Sequence, residues 1–375
     1  MSSLGIYLSL LIGKDVPEPA PATIIDALQS VEVTSSDGSR DGFQLSFSIG
    51  RSGVSDAYEY PLLANPLIKA FNRVIIMVSF GVVPKVLIDG IITHHQIRLS
   101  PEPGKSTLSI TGEDLSVMMG LKDKQKKHPK QSADKVVKTI IGAYSKYDLK
   151  DDVIAPDSAQ EKEHVQNASD LKFLQELATK YKYVFYVESD SQNKNRAYWG
   201  PPDREGKPQQ ALSFNMGEET NVNSINFQMN ALNQSALKGK IQDTEKGEKM
   251  DIPDETNSDT AFAEQSVDKQ DSDNQVTIQL RESGLSMQEA RIKAQAEAKR
   301  SADALTVSGE LDSMLYGDVL RARHPVTLRG VGQAHNGLYY VKRVTHSISK
   351  GTYKQNFTLS REGTGTTITK VDKKT

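Results

Sequence analysis

The clearest structural signal in this 375-residue sequence is residues 165–187, VQNASDLKFLQELATKYKYVFYV. Ser169 suits a helix N-cap, because its hydroxyl can accept a backbone N–H of the first turn. Apolar residues then recur at the three- and four-residue spacing of one buried helix face, namely Leu171, Leu174, Leu177, Ala178 and Tyr181. Residues 184–187 have the aromatic and β-branched side chains of a strand. The segment predicts a helix packed on a sheet.

The sequence before this segment predicts a small β-barrel. Residues 43–49 (FQLSFSI) alternate apolar and polar side chains, which is the period of a strand with one buried face. The loop before them, residues 35–42, contains two Asp-Gly pairs, which are typical of hairpin turns. Glycine, proline and aspartate separate three further predicted strands at residues 74–80, 86–92 and 107–111. Short strands joined in this way indicate a closed or half-closed barrel that ends near residue 111.

A small α+β unit is predicted next. Residues 122–130 (KDKQKKHPK) have the composition of a solvated basic linker. A helix capped by Ser132 follows, and its apolar stripe is Val136, Val137, Ile140, Ile141 and Tyr144. With the helix at 170–180 and the strand after it, this helix forms a unit that closes at Trp199.

The last part of the sequence predicts a second β-rich unit. Residues 243–274 are rich in acidic and polar side chains, so we expect a flexible acidic insertion there. Residues 212–229 and 307–359 predict strands, and Ser286 with Glu289 forms a capping box for a long helix reaching about residue 305. The predicted division is 1–120, first β-barrel; 121–205, α+β middle domain; 206–362, second β-barrel with the helix and insertion; 363–375, polar tail.

The composition excludes several classes of protein. The hydrophobic fraction of 37% and the charged fraction of 25% are those of a globular protein. The longest apolar run, residues 74–83, is much shorter than the ~20 residues that cross a bilayer. No basic residue precedes the apolar N-terminal segment, so we expect no signal peptide. The absence of cysteine fits a reducing compartment. A net charge of −2 argues against a surface that coats nucleic acid.

Two glycine-containing segments resemble nucleotide-binding motifs but lack required residues. Residues 104–107 (GKST) read like the end of a phosphate-binding loop, yet Leu99 stands where its first glycine belongs, and a strand follows instead of a helix. Residues 330–335 (GVGQAH) place His335 where the dinucleotide fingerprint needs its third glycine. Both segments are predicted to be turns.

Histidine and acidic residues supply no clear catalytic or metal-binding group. His94 and His95 are neighbours on a predicted strand and point to opposite faces, so they cannot easily share a metal. His346 is expected to be a hydrogen-bonded structural histidine. Residues 271–276 begin like a calcium loop, but Val276 stands where that loop needs glycine. We predict no catalytic, cofactor-binding or metal-binding residue, although scattered carboxylates leave sugar hydrolysis open.

The string Q-N-x-S-D-L-x-F-L-x-x-L-A followed by an aromatic strand resembles the middle domain of the central hub proteins of contractile phage tails. That family includes late control protein D of phages and the hub part of the valine-glycine-repeat proteins of type VI secretion. The family-diagnostic residues are Ser169, Asp170, Leu171, Phe173, Leu174, Leu177 and Ala178. Other segments resemble the two barrels of the family, namely 88–92 (IDGII), 108–115 (LSITGEDL), 315–319 (LYGDV), 336–346 and 353–361.

The resemblance implies an α+β fold in which two small tube-like β-barrel domains flank an α+β middle domain. It implies a homotrimer whose six barrels form a pseudo-sixfold ring, a geometry that adapts a hexameric tube to a trimeric spike. The implied partners are further copies of the chain, an inner tube protein, a separate spike protein and other baseplate proteins, with no cofactor, nucleic acid or membrane insertion.

The implied function is a non-enzymatic structural hub, assembled in the bacterial cytoplasm and then part of a phage virion or injection particle. The alternatives are a tail-associated enzyme that degrades the cell wall and an adhesion or carbohydrate-binding module. Such a module normally displays surface aromatic residues, and Trp199 is the only tryptophan.

Overall fold

The computed structural model describes residues 2–3, 5–14, 16–50, 60–81, 83–102, 104–156, 161–189, 194–230, 235–238, 240–242, 249–251, 262–266, 276–279 and 303–365. Within these ranges the chain is mostly antiparallel β-sheet with four short α-helices. No helix in the same ranges is long and apolar enough to span a membrane.

The first part of the chain is a series of strands with one short helix. Its elements are β1 (Ser2–Ser3), β2 (Ile6–Gly13), β3 (Glu18–Pro19), α1 (Ala22–Ala27), β4 (Leu28–Ser36), β5 (Gly42–Ser48), β6 (Arg73–Phe80), β7 (Pro84–Arg98) and β8 (Thr107–Asp114). The strands predicted at 43–49, 74–80, 86–92 and 107–111 are confirmed, with β7 and β8 longer than predicted. Residues 104–107 form a turn that enters β8, because Gly104 has a positive φ of 76°.

The middle part contains the two longer helices. Its elements are β9 (Asp123–Gln131), α2 (Ala133–Gly142), β10 (Lys150–Val153), β11 (Lys162–Ser169), α3 (Asp170–Lys180), β12 (Val184–Ser189) and β13 (Asn195–Gly200). The helix and the strand predicted from residues 165–187 are confirmed. The Ser169 hydroxyl accepts the Lys172 N–H at 3.4 Å as the N-cap bond, whereas Ser132 precedes α2 without a side-chain cap bond.

The basic segment predicted as a solvated linker is instead a strand. Residues 123–131 form β9, which pairs antiparallel with β11. His128 on β9 is buried, and its ring stacks on Phe173 of α3 with centroids 5.6 Å apart. The linker prediction was wrong because the sequence of β9 has no alternation of apolar and polar residues that would indicate a strand. The strand is instead held by its pairing with β11 and by the buried ring of His128.

The last part returns to strands. Its elements are β14 (Gln209–Ser213), β15 (Val222–Met229), β16 (Ser235–Lys238), β17 (Lys240–Gln242), β18 (Lys249–Asp251), β19 (Gln265–Ser266), β20 (Val276–Gln279), β21 (Leu305–Asp312), α4 (Ser313–Tyr316), β22 (Pro325–Arg329), β23 (Gly337–Ser349), β24 (Thr352–Arg361) and β25 (Gly363–Thr364). Most of the predicted helix that begins at Ser286, and most of the acidic insertion, lie outside the described residues. The tail predicted from residue 363 begins with β25, which pairs with β19.

One large sheet joins the first and last parts of the chain. Its main path is β1-β2-β6-β7-β8-β5-β4-β23-β24-β21-β15, with β3 beside β2, β22 beside β23, and β14 parallel to β22. The connection is the antiparallel pair β4–β23, which runs from Ser36 opposite Arg343 to Ser30 opposite Ser349. The two β-rich parts flank the middle part in sequence, but in the structure they pair directly.

Apolar side chains gather into three buried clusters. One lies under the strands of the first part, one between α2, α3 and the β10-β13-β12 sheet, and one under the strands of the last part. Trp199 is fully buried in the middle cluster, where its indole N–H donates to the Leu174 carbonyl at 3.3 Å. Gly309 on β21 is required by close approach, since a Cβ there would lie 2.4 Å from the Ser224 carbonyl oxygen.

Candidate functional site

The residues of the motif that resembles tail hubs lie at the start of and along one helix, and most of them pack inward. Ser169 caps α3, and the five apolar residues of the motif are all buried: Leu171, Phe173, Leu174, Leu177 and Ala178. They belong to the middle cluster. Their positions assign them to the packing of α3 on the neighbouring strands.

Asp170 is the one charged residue of that motif, and it is buried with three hydrogen-bond donors. Its Oδ2 accepts from Tyr144 Oη at 2.7 Å and from Lys124 Nζ, and its Oδ1 accepts from Gln166 Nε2 at 2.7 Å. Burial alone would raise the pKa of Asp170, but these three donors hold it below its ordinary value. The carboxylate ties β9, β11 and the segment that follows α2 to the start of α3.

A second group of charges, some buried and some partly buried, lies where the three parts of the chain meet, and we call it the junction cluster. Its members come from the β4–β5 loop, β8, β12, β13, the segment between β13 and β14, and the segment between α4 and β22. They are Asp41, Asp114, Glu188, Arg196, Asp203, Arg321, Arg323 and His324.

Arg323 is the central cation of the junction cluster. Its guanidinium is 2% exposed and donates to both carboxylate oxygens of Asp41, at 2.6 and 3.1 Å. It also donates to the Ser36 carbonyl at 2.7 Å and lies 4.4 Å above the ring of Tyr186. The backbone of Arg323 has a positive φ of 67°, which a non-glycine residue adopts only when its surroundings hold it there. One side chain thus connects all three parts.

Asp41 and Asp114 form an acidic pair beside Arg323. The Asp41 N–H donates to Asp114 Oδ2 at 2.9 Å, and Asp114 Oδ1 accepts from the Ser116 N–H at 2.8 Å. Burial, followed by the nearby Asp41 charge, raises the pKa of Asp114 to about 6. The cluster therefore contains one carboxyl group that gains a proton under mildly acidic conditions.

Glu188 is shared between two cations. Its Oε1 accepts from Arg196 Nη2 at 2.7 Å and lies 3.5 Å from His324 Nε2. The other ring nitrogen of His324 lies 3.0 Å from Asp203 Oδ2. Burial alone would raise the pKa of Glu188, but its contacts with His324 and Arg196 lower it to about 2. Burial alone would lower the pKa of His324, but Asp203 and Glu188 raise it to about 9. His324 is therefore an imidazolium at neutral pH.

Arg321 connects the same three parts through backbone oxygens. Its guanidinium donates to the Ser189 carbonyl at 2.9 Å and to the Val86 carbonyl at 3.0 Å. Between these groups lies a cavity of about 20 Å³, enough for roughly one water molecule. Cations and carboxylates alternate through the cluster, so its chemistry is charge pairing that fixes the positions of the strands.

The other titratable residues considered from the sequence lie apart from this cluster or serve packing. His94 and His95 are exposed on β7, and His335 follows the turn at Gly330 and Gly332. His346 is buried, and its Nδ1 lies 2.9 Å from the Tyr353 hydroxyl. Burial lowers the pKa of His346 to about 3, so it is the neutral structural histidine that was predicted. Among the described residues, no group of three histidine or acidic side chains could hold a metal ion.

Sequence reasoning did not find the junction cluster. Its partners lie up to 282 positions apart, as Asp41 and Arg323 do, and no spacing rule links them. A local signal was nevertheless present, because residues 321–324 (RARH) place three basic side chains inside an apolar run that leads into β22. Charged residues in such a run indicate buried ion pairs.

Comparison with known proteins relates this fold to tail proteins. The family described as the Alg8 N-terminal domain matches residues 58–350. The fold is similar to that of the 43 kDa tail protein of prophage MuSo2 from Shewanella oneidensis, at 12% identity and a TM-score of 0.67 over 95% of this chain and 98% of that chain. It is also similar to the tail protein from Neisseria meningitidis MC58, at 12% identity and a TM-score of 0.63 over 96% and 97%.

A third similar structure is the E. coli c3393 protein, described as a component of the type VI secretion system, at 12% identity and a TM-score of 0.52 over 89% of this chain and 73% of that chain. None of the curated proteins compared matches the sequence. At these identities the three structures establish a shared fold.

Proposed function

The chain belongs to the Alg8 N-terminal domain family, and from the similarity of its fold to that of tail proteins we propose that it is the structural hub of a contractile tail or injection-particle baseplate. In this proposal three copies form a ring that joins a hexameric inner tube to a trimeric spike. The chain acts through its shape and carries out no chemical reaction.

The observation that carries the proposal is the single sheet shared by the first and last parts of the chain. Three chains with two β-rich parts each present six similar surfaces to a sixfold tube while keeping threefold symmetry toward a spike. The β4–β23 pair and Arg323 hold the two β-rich parts of one chain in a fixed relation. A symmetry adaptor needs that fixed relation, because six equivalent contacts with the tube require the same angle between the two β-rich parts in every chain.

One face of the shared sheet supports the same proposal. Polar side chains lie side by side on the paired strands β4 and β23, which we call the seam, and the hydroxyl groups of Thr34 and Thr345 are 3.0 Å apart there. Glu32, Arg343 and Asn356 are exposed on neighbouring strands, while Val33 and Val344 on the seam are buried. We propose that this polar face lines a water-filled channel through the ring.

The proposed domains are residues 1–120, 121–205 and 206–362, followed by the tail. Three apolar clusters support this division. Val319, Ile348 and Tyr353 from the last part also pack in the first cluster, so the proposed domains share a boundary that is itself apolar. In the proposal α3 belongs to the middle domain, and its motif Ser169–Ala178 is a packing motif of tail hubs and not a binding site.

Native mass spectrometry of the full chain, alone and mixed in turn with a tube protein and a spike protein from the same gene cluster, tests the proposal. We expect a trimer that binds the hexameric tube protein. A strictly monomeric species that ignores both tube and spike proteins would contradict the hub assignment. Cleared zones on a cell-wall zymogram that disappear when a carboxylate is substituted would identify the tail-associated enzyme instead.

A further inference from the structure

A cleft of about 620 Å³ lies beside the junction cluster, and nothing in the proposed function accounts for it. Its walls come from the start of β7, from β10, β12 and β13, from β14, and from the segment between α4 and β22. All three parts of the chain contribute, so the cleft exists only when they are assembled. Its volume is within the ~300–1,000 Å³ range of ligand pockets.

The cleft is lined by more cations than anions. Its cationic side chains are Lys85, Lys150, Arg196, Lys207, Arg321 and His324, and its anionic side chains are Asp152, Glu188 and Asp318. The chain as a whole has a net charge of −2. The excess positive charge is therefore a local property of this cleft.

The cations of the cleft divide into a fixed set and an open set. Arg196 is held by Glu188 and Asp152 at 2.7 and 2.8 Å, and His324 is held by Asp203 and Glu188. Lys150 and Lys207 are exposed, and neither makes an ion pair within the described part of the chain. Arg196 and His324 are thus already paired with carboxylates, whereas Lys150 and Lys207 have unused charge at the surface of the cleft.

We propose that this cleft binds a carboxylate-rich peptide segment of a partner protein. The two open lysines pair with acidic side chains of the segment. The inference goes beyond the proposed function, because it requires the assembled chain but no particular oligomer. A segment bound there contacts all three parts at once and stabilises their arrangement.

The charges favour a peptide over a nucleic acid. Three carboxylates interrupt the cations of the walls, so the cations form no continuous positive track for a phosphate backbone. A peptide carries separate acidic side chains on a neutral backbone, so it can place each charge opposite a lysine. A cleft with mixed charges therefore discriminates between the two kinds of polyanion.

Fluorescence anisotropy with a labelled hexaglutamate peptide tests the proposal on the full chain. We expect saturable binding at low ionic strength that weakens at 0.15 M salt, because the open lysines lie at the surface. The double variant Lys150→Gln/Lys207→Gln should bind the peptide about fivefold more weakly, consistent with two exposed ion pairs.

The matched control is Lys138→Gln/Lys172→Gln, which removes the same charge from exposed positions on α2 and α3. We expect it to bind hexaglutamate like the unmodified chain, and circular dichroism should give the same spectrum for all variants. Equal weakening in both double variants, or no saturable binding in the unmodified chain, would overturn the proposal. Tighter binding of a six-phosphate oligodeoxythymidylate, lost with the cleft variant, would also overturn it and identify a nucleic-acid site.

Discussion

Replacing Arg323 with methionine is expected to destabilise the protein more than any other single charge change in the junction cluster. The guanidinium makes two hydrogen bonds to Asp41 and one short bond to the Ser36 carbonyl, and it is almost fully buried. Methionine fills a similar volume but leaves the Asp41 carboxylate buried without its partner. Removing one partner of a buried ion pair costs about 3–5 kcal/mol. We expect the free energy of unfolding to fall by that amount.

The assay is urea unfolding followed by two signals. Far-UV circular dichroism reports the sheets, and the fluorescence of Trp199 reports the middle cluster in which it is buried. Both midpoints should shift, since Arg323 contacts the first part through Asp41 and the middle part through Tyr186. A midpoint shift without a change of slope identifies a change in stability.

Two further variants make the result decisive. Arg40→Met removes a nearby arginine whose pairing with Glu113 is partly exposed, and we expect a cost below about 1 kcal/mol. Adding Asp41→Asn to Arg323→Met removes the buried, unpaired charge of Asp41, so it should restore about 1 kcal/mol or more of the free energy of unfolding. The reasoning is refuted if Arg323→Met lowers the free energy of unfolding no more than Arg40→Met does. It is also refuted if the loss in the double variant Arg323→Met/Asp41→Asn equals the sum of the losses in the two single variants.

Three further outcomes are expected. The pKa of His324 is raised from 6.5 to about 9, so the stability that its charge contributes is complete below pH 6.5 and is lost as pH rises through 9. Urea unfolding should therefore show that the free energy of unfolding falls between pH 6 and pH 10 by roughly 2–4 kcal/mol less in His324→Gln than in the unmodified chain. Leu174→Ala removes a fully buried side chain of α3 and should cost about 2–5 kcal/mol by the same measurement, whereas Glu176→Ala on the exposed face should change stability by under about 0.5 kcal/mol. Gly309→Ala places a Cβ 2.4 Å from the Ser224 carbonyl oxygen, so it should separate β15 from β21 and increase hydrogen exchange of their amides.

Local sequence was sufficient to predict the helices and strands whose own residues show a clear apolar periodicity or a cap. The alternation in β5 follows from one buried face, and α3 follows from its cap at Ser169 and its apolar stripe. These features depend on residues a few positions apart, where strand and helix periods apply. The same rules failed at β9, whose lysines face solvent on a strand that pairs with β11, where His128 lies opposite His164, 36 positions away.

Long-range pairing was outside the reach of local rules. β4 pairs with β23 across about 300 residues, and the sequence of neither strand indicates which strand it pairs with. The junction cluster has the same property, since the partners of Arg323 lie on β4–β5 and β12. The resemblance to tail hubs predicted two β-rich parts and a middle part, but it gave neither the shared sheet nor the charges that hold it.

The β4–β23 pair also has a consequence for synthesis on the ribosome. The first part can fold once β8, which ends at Asp114, has been translated, and 235 residues then remain before β23, which ends at Ser349, is complete. At roughly 5–20 residues per second, this takes about 12–47 s. Throughout that interval the nascent chain carries an open strand edge, which is a template for pairing with another chain. Neighbouring ribosomes on one messenger bring several such edges close together, so prompt completion of each chain protects the next from aggregation.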